Sequence, residues 1–226
     1  MAYWSAENAT KAYLSTLKMG EKAKEPNVAE FISALAAGNN AQMMIVACAN
    51  EADSTTLGLV AAANQTSGKV ICIVPNHENL IASKNVLGIA SHQVEFMVGE
   101  AQEILELEQY ESADFFLIDC NIKNHEEILK AIQKGRKQNG TIVVGYNGFN
   151  CKGSWLSLSC GSKTRLLPIG EGLLVTRFGI NVNSPKYETT SRMGKIKSRW
   201  VVKVDKCTGE EHVFRVRFNH GKVIQA

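Results

Sequence analysis

Four prolines in 226 residues are too few for a proline-rich or low-complexity architecture. No apolar run approaches the ~20 residues that a bilayer-spanning helix requires, so no membrane association is expected. The opening residues, MAYWSAENATKAY, lack a basic segment followed by an apolar one, which argues against a secretory signal. They also hold too many acids and too few arginines for a typical organelle transit peptide. None of the six cysteines (Cys48, Cys72, Cys120, Cys151, Cys160, Cys207) is spaced as CxxC. That absence speaks against the thioredoxin-type motif and the common zinc patterns. Reduced, mostly buried thiols in a cytoplasmic protein are expected instead. There is no internal repeat beyond an alternation of strands and helices.

What is present is a globular composition, 45% hydrophobic and 21% charged, in a chain long enough for one well-buried core with an appendage. The net charge of +3 is unevenly spread. Residues 186–226 carry ten Lys/Arg against four Asp/Glu, and the remainder fifteen against eighteen. A tail of about +6 on a body of about −3 marks a distinct appendage.

Apolar residues at helical spacing predict a helix over residues 6–19, stopped by Gly20, and a second over 28–37, opened by Pro26-Asn27 and ended by Gly38. From Gln42 a repeating unit begins. Strands are expected at 42–49, 69–74, 94–98, 114–119 and 141–145. Between them lie helices at 54–64, 78–90, 101–107 and 125–137, the first capped by Asp53 or Ser54. Near-continuous apolar strands alternating with helices give an α/β fold, a parallel sheet covered on both faces. Residues 165–168 and 173–178, joined by a four-residue turn, form an antiparallel pair. Five parallel units closed by such a pair is the layout of Rossmann-type methyltransferases. A polar linker follows Asn181. Two alternating strands, 199–206 and 212–219, then flank Cys207-Thr208-Gly209-Glu210. Phe214, Val216 and Phe218 share one face of this expected β-hairpin, and Arg215 and Arg217 the other. The expected divisions are N-terminal helices at 1–40, a methyltransferase-like domain at 41–181, and a linker with a basic hairpin packed on it at 182–226.

In such a sheet, ligands bind beyond the carboxyl ends of the strands. Asp119, Asn121, Lys123, Tyr146 and Asn147 all fall there. Four stretches then resemble the small cation-dependent O-methyltransferases of catechols and caffeoyl-CoA: DFFLIDCN at 114–121, NGTIVVGYN at 139–147, GEAQEIL at 99–105 and LPIGEGL at 167–173. The whole chain is more closely similar to a plant family of methyltransferase-like proteins, a likeness that implies a fold and no particular reaction. The resemblance implies an S-adenosylmethionine site with Ala49, Asn50, Ser54, Asn76, Glu100, Ala101 and Asp119 at cofactor positions, and Glu100 facing the adenine. It implies Asp119 and Lys123 as catalytic candidates, with Tyr146, Asn147 and Trp155 around the substrate.

Departures from the family pattern limit what carries over. The acid and two glycines of the first strand-end motif fall on Ala47, Ala49 and Asp53. The acid that grips the ribose hydroxyls falls on Val74. The metal-binding Asp-Asn pair falls on Gly145-Tyr146, or on Tyr146-Asn147 with one inserted residue, so the second carboxylate is missing. The family's lysine falls on Ile122, beside Lys123. Weak or absent S-adenosylmethionine binding and no metal are therefore expected. Each candidate also has a structural alternative. Asp119 caps the turn after its strand, and Glu100 starts the next helix. Asp53 and Ser54 cap helix 54–64, and Tyr146 stands on the rim. His77 and His125 begin helices, although either has a suitable unperturbed pKa for acid–base work.

Three function classes result. The first is a small-molecule methyltransferase without metal dependence. The second is a protein on the same fold that binds a ligand or runs another reaction without methyl transfer. The third is an anion- or nucleic-acid-binding module acting through Lys195, Lys197, Arg199, Lys203, Arg215 and Arg217. Nucleic acid is the less expected partner, since no aromatic-interleaved RNA-binding signature accompanies these cations. A small-molecule ligand is expected, and the N-terminal helices and the hairpin are the candidate surfaces for a homodimer.

Overall fold

A computed structural model describes residues 4–19, 27–134, 140–149, 151, 153, 155, 163–178, 198–204 and 211–217. The expected breaks at Gly20 and Pro26, the end of helix 125–137, the linker after Asn181, the turn at 207–210 and Phe218 lie outside them. The chain divides into two compact units, Met1–Val182 and Asn183–Ala226.

The first unit opens with α1 (Ala6–Met19) and α2 (Val28–Gly38). Then come β1 (Met43–Ala47), α3 (Ser54–Thr66), β2 (Lys69–Val74), α4 (His77–Leu87), β3 (Val94–Val98), α5 (Ala101–Leu105), β4 (Phe115–Asp119), α6 (His125–Lys134) and β5 (Thr141–Tyr146). β6 (Lys163–Leu167) and β7 (Leu173–Phe178) complete it. The strands form one sheet of order β3-β2-β1-β4-β5-β7-β6. β1 to β5 are parallel, and β7 runs antiparallel to both β5 and β6. The mixed α/β fold with a closing antiparallel pair is the one expected. The helix expected over 78–90 stops at Leu87, where Gly88 (φ +54) turns the chain into a 3₁₀ segment, Gly88–Gln93. The helix expected over 101–107 ends at Leu105.

Burial on both faces explains why β1 and the first four residues of β4 are apolar. Met44, Val46, Phe115 and Leu117 face one hydrophobic layer, and Ile45, Ala47, Phe116 and Ile118 face the other. The first layer is covered by α1 to α4, with Ala12, Ile32, Leu59 and Leu87 among its members. The second is covered by α5 and α6 through Ile104, Leu105, Ile128, Leu129 and Ile132. Each fully buried Leu, Ile or Phe contributes roughly 1.5–3 kcal/mol. The inner strands are therefore mostly apolar, and Asp119 stands at the carboxyl end of β4.

Local devices fix the register. The Asp114 carboxylate accepts from the backbone N–H of Gln42 at 3.0 Å and of Met43 at 3.1 Å, tying the starts of β1 and β4 together. Gly38 is the last residue of α2 rather than a simple stop. A Cβ there would lie 2.2 Å from the ring of Trp4, so its bare backbone seats that indole. At Gly58 a Cβ would lie 2.5 Å from the carbonyl oxygen of Ala29, which is how closely α3 approaches α2.

The second unit is described by β8 (Ser198–Val204) and β9 (Glu211–Arg217), an antiparallel pair. Its register sets Val201 opposite Phe214 and Trp200 opposite Arg215.

The contact at Gly58 yields a stability test. Gly58→Ala must push α2 and α3 apart against backbone atoms, and overpacking of this kind costs about 1–3 kcal/mol. Urea denaturation should show a loss in that range, although alanine has the better helix propensity. An unchanged or raised midpoint would contradict the packing.

Candidate functional site

Strand order reverses between β1 and β4, and the carboxyl ends of β1, β2 and β4 come level with one another. Ala47 pairs with Ile73 and Ile118, and Asp119 with Tyr146. Beyond them lies a cleft of about 480 Å³. It is lined by residues 48–50 after β1, 73–75 at the end of β2, 99–101 after β3 and 121–124 after β4. Its size and mixture of apolar walls with a few polar groups suit a small molecule. Glu100 and Lys123 are the charged side chains of the lining, and both are exposed. The amide of Asn124 lies 3.5 Å from the Glu100 carboxylate.

Of the residues singled out from sequence, Ala49, Asn50, Glu100, Ala101 and Lys123 line this cleft, with Asn121 beside them. Asp119 stands just behind the lining, 8% exposed. Its Oδ1 accepts from the backbone N–H of Asn121 and from the Asn147 amide, both at 2.9 Å. Asp119 thus caps the turn that carries residues 121–124 and ties it to the end of β5. Asn147 holds a left-handed backbone, φ +57, a conformation that asparagine tolerates better than most residues.

The other candidates are placed elsewhere. Asn76 caps α4, its Oδ1 accepting from Asn79 N at 2.8 Å. Ser54 is the first residue of α3, and Asp53 is the cap before it. Tyr146 is 4% exposed and packs in the core layer under α1 to α4 rather than on the rim. Burial foremost, then the nearby Cys48, Asp53 and Asp119, pushes its phenol well above the usual tyrosine range. Trp155 is fully buried on the opposite face of the sheet and is not part of the lining. Its indole fills the space left by Gly145, where a Cβ would lie 2.9 Å away, and its Nε1 donates to Thr176 Oγ1 at 2.9 Å. Of the apolar residues of the cleft, Val74 and Ile122 stand where the resemblance expects an acid and a lysine, and Ile73 and Pro75 carried no sequence signal beyond their positions at a strand end. Cys48 also lines the cleft, its Sγ 3.7 Å from that of Cys72. That contact, followed by burial, raises the Cys48 thiol well above its ordinary range.

The donor set decides what this site can hold. A hard cation takes six or more oxygen ligands. Asp119 instead faces two N–H donors, and the positions of a second acid hold Gly145 and Tyr146. Among the described residues no three His, Cys, Asp or Glu side chains are grouped as metal ligands. At the positions that the resemblance gives to a metal, Asp119 is the one carboxylate, and its Oδ1 is already engaged.

S-adenosylmethionine has two ends. For the nucleoside end the chain offers a cleft with Glu100 on its wall. For the amino-acid end it offers little. The Asp53 carboxylate already accepts from Thr55 N at 2.8 Å and from Thr55 Oγ1 at 2.5 Å, and the Asp53 carbonyl accepts from Thr56 N at 3.1 Å. Those α3 donors are occupied by the chain itself. At β2, Val74 is fully buried and the Oδ1 of Asn76 accepts from its own helix. At both turns the capping side chains are engaged with the chain's own helices.

The family model described as "Protein of unknown function (DUF1442)" matches residues 1–216. No curated protein matches the chain. Solved structures do. An S-adenosylhomocysteine-bound methyltransferase of Podospora anserina superposes with a TM-score of 0.57 at 14% identity, over 78% of this chain and 90% of that one. An O-methyltransferase of Streptomyces achromogenes involved in tomaymycin synthesis, in complex with S-adenosylmethionine, gives 0.56 at 15%, over 79% and 92%. An O-methyltransferase of Bacillus cereus in complex with S-adenosylhomocysteine gives 0.54 at 14%, over 76% and 91%. At these identities the likeness shows the fold, which is that of S-adenosylmethionine-dependent O-methyltransferases.

The buried phenol makes a pH prediction. An unfolded tyrosine ionises near pH 10, whereas folded Tyr146 holds its proton to higher pH. The unfolded state then binds fewer protons, so stability falls as pH rises from about 10 towards the folded value. Denaturation midpoints measured at about pH 9 and about pH 11 should fall less in Tyr146→Phe than in the wild type. Equal losses would contradict the burial of this hydroxyl.

Proposed function

We propose that this chain, which belongs to the DUF1442 family, is a methyltransferase-like protein whose switch-point cleft binds a small adenosine-bearing molecule. Its grip on S-adenosylmethionine is weak or absent, and its chemistry needs no metal. The observation that carries this reading is the pair of self-capped helices. Asp53 and Asn76, at the two turns where a cofactor's polar groups are to be met, are spent on α3 and α4. The adenosine part of the proposal rests on the fold, whose solved examples above are bound to S-adenosylmethionine or S-adenosylhomocysteine. It rests also on a cleft of suitable size beneath Glu100.

A magnitude supports the weakness of the grip. Losing a hydrogen bond to a charged group removes about 1.5–3 kcal/mol, or roughly one to two decades of affinity. Val74 forfeits such a contact on the ribose, and Asp53 sets a carboxylate where the cofactor's own would approach. Lys123 is the residue of the lining we assign to an acceptor hydroxyl, should a methyl group be moved there.

Calorimetric titration tests the proposal. Dissociation constants for S-adenosylmethionine and S-adenosylhomocysteine should be about 10 µM or weaker, with no gain on adding magnesium. Sub-micromolar binding of either would overturn it.

A further inference from the structure

We propose that the chain carries a second small-molecule site, a groove between α4 and β3 that takes a free, flat aromatic carboxylate. It is separate from the switch-point cleft, with which it shares no lining residue.

The groove exists because cover runs out at the sheet edge. Among the described residues β3 is the terminal strand of the sheet, with β2 as its one neighbour. α4 lies against β2 and β3 but ends at Leu87, where Gly88 turns the chain into the 3₁₀ segment Gly88–Gln93. A space of about 400 Å³ is left between them. Leu80 and Lys84 of α4, Ser91 and His92 of the 3₁₀ segment, and Val94 and Phe96 of β3 line it. Val94 and Phe96 are two apart on the strand, so they share the face that carries the first hydrophobic layer, where Leu80 also packs. Val94 is buried, but Leu80 and Phe96 are only half-buried. A ligand that removes their remaining apolar surface from water gains by doing so, and Phe96 offers a ring for offset stacking.

The polar lining is one-sided. Lys84 and His92 are exposed and come from two different elements, and no carboxylate lines the groove. Glu95, between Val94 and Phe96, alternates to the other face, where its charge raises the phenol of Tyr110 in the second layer. The Ser91 hydroxyl is spent on the chain, donating to the Gly88 carbonyl at 2.6 Å. What remains is an ammonium and an imidazole over an apolar floor. That set complements a carboxylate joined to a flat apolar body, held by charge-assisted hydrogen bonds. The volume admits one or two fused rings.

The test is calorimetry and amide chemical-shift mapping on the full chain with three probes: 2-naphthoate, its neutral counterpart 2-naphthamide, and acetate. 2-Naphthoate should bind with a dissociation constant below about 1 mM, at least tenfold more tightly than either of the others. Its largest shifts should fall at Lys84, Ser91, His92 and Phe96. Lys84→Met keeps the apolar stem and removes the charge, and His92→Ala removes the imidazole. Each should weaken 2-naphthoate at least fivefold and leave 2-naphthamide within twofold. Both positions are exposed, so both variants should fold. Four results overturn the inference: no binding of 2-naphthoate up to millimolar concentration, 2-naphthamide or acetate bound as tightly, variants that leave 2-naphthoate unchanged, or shifts centred on Asn50, Glu100 and Asn121 of the other cleft.

Discussion

Burying the two central strands on both faces is the constraint on which the rest of the molecule depends. β1 and β4 lie side by side where the strand order reverses, and neither exposes a face to water. The residues along them up to Asp119 are apolar, so polar chemistry is displaced to their carboxyl ends. The clamp from Asp114 to the start of β1 aligns the strands at one end, and their ends at Ala47 and Asp119 then open on a common cleft. The site is a consequence of how the core is filled.

At that cleft the chain turns its polar groups inward to its own backbone. Asp53 and Asn76 satisfy the first turns of α3 and α4, and Asp119 satisfies the turn after β4 while holding Asn147. Each bond stabilises local structure, and each removes a group from ligand binding. Under the proposed reading, this trade keeps a methyltransferase-like fold while weakening its hold on a charged cofactor tail. Caps of this kind contribute about 1 kcal/mol each.

The strands and the order of elements were legible because uninterrupted apolar runs between turn residues have one economical arrangement. The floor of the cleft was half legible. Lys123 follows from counting to the end of a predicted strand, and Ala49, Glu100 and Ala101 from the family resemblance. Trp155 and Tyr146 were misleading for one physical reason: a large aromatic at a strand end or in the loop that follows can turn to the ligand or into the core. Gly145, with no side chain of its own, makes the space that draws Trp155 inward. That relation lies across ten residues of chain and leaves no periodic trace. The Ser83 hydroxyl on Ala52 and the Cys48–Cys72 contact are likewise tertiary, joining β1 or its loop to separate elements.

The central claim is one of place: the adenosine-type ligand sits at the reversal of strand order, against the nucleoside end of the cleft. Amide chemical-shift mapping of the isotope-labelled chain during a 5′-methylthioadenosine titration tests it most directly. The account predicts the largest perturbations at Ala49, Asn50, Gly99, Glu100, Ala101 and Asn121, with Thr55 and Leu57 at the start of α3 little moved. Perturbations centred instead on the shallower cleft around Lys84, His92 and Phe96, or on the hairpin strands Ser198–Val204 and Glu211–Arg217, would contradict it.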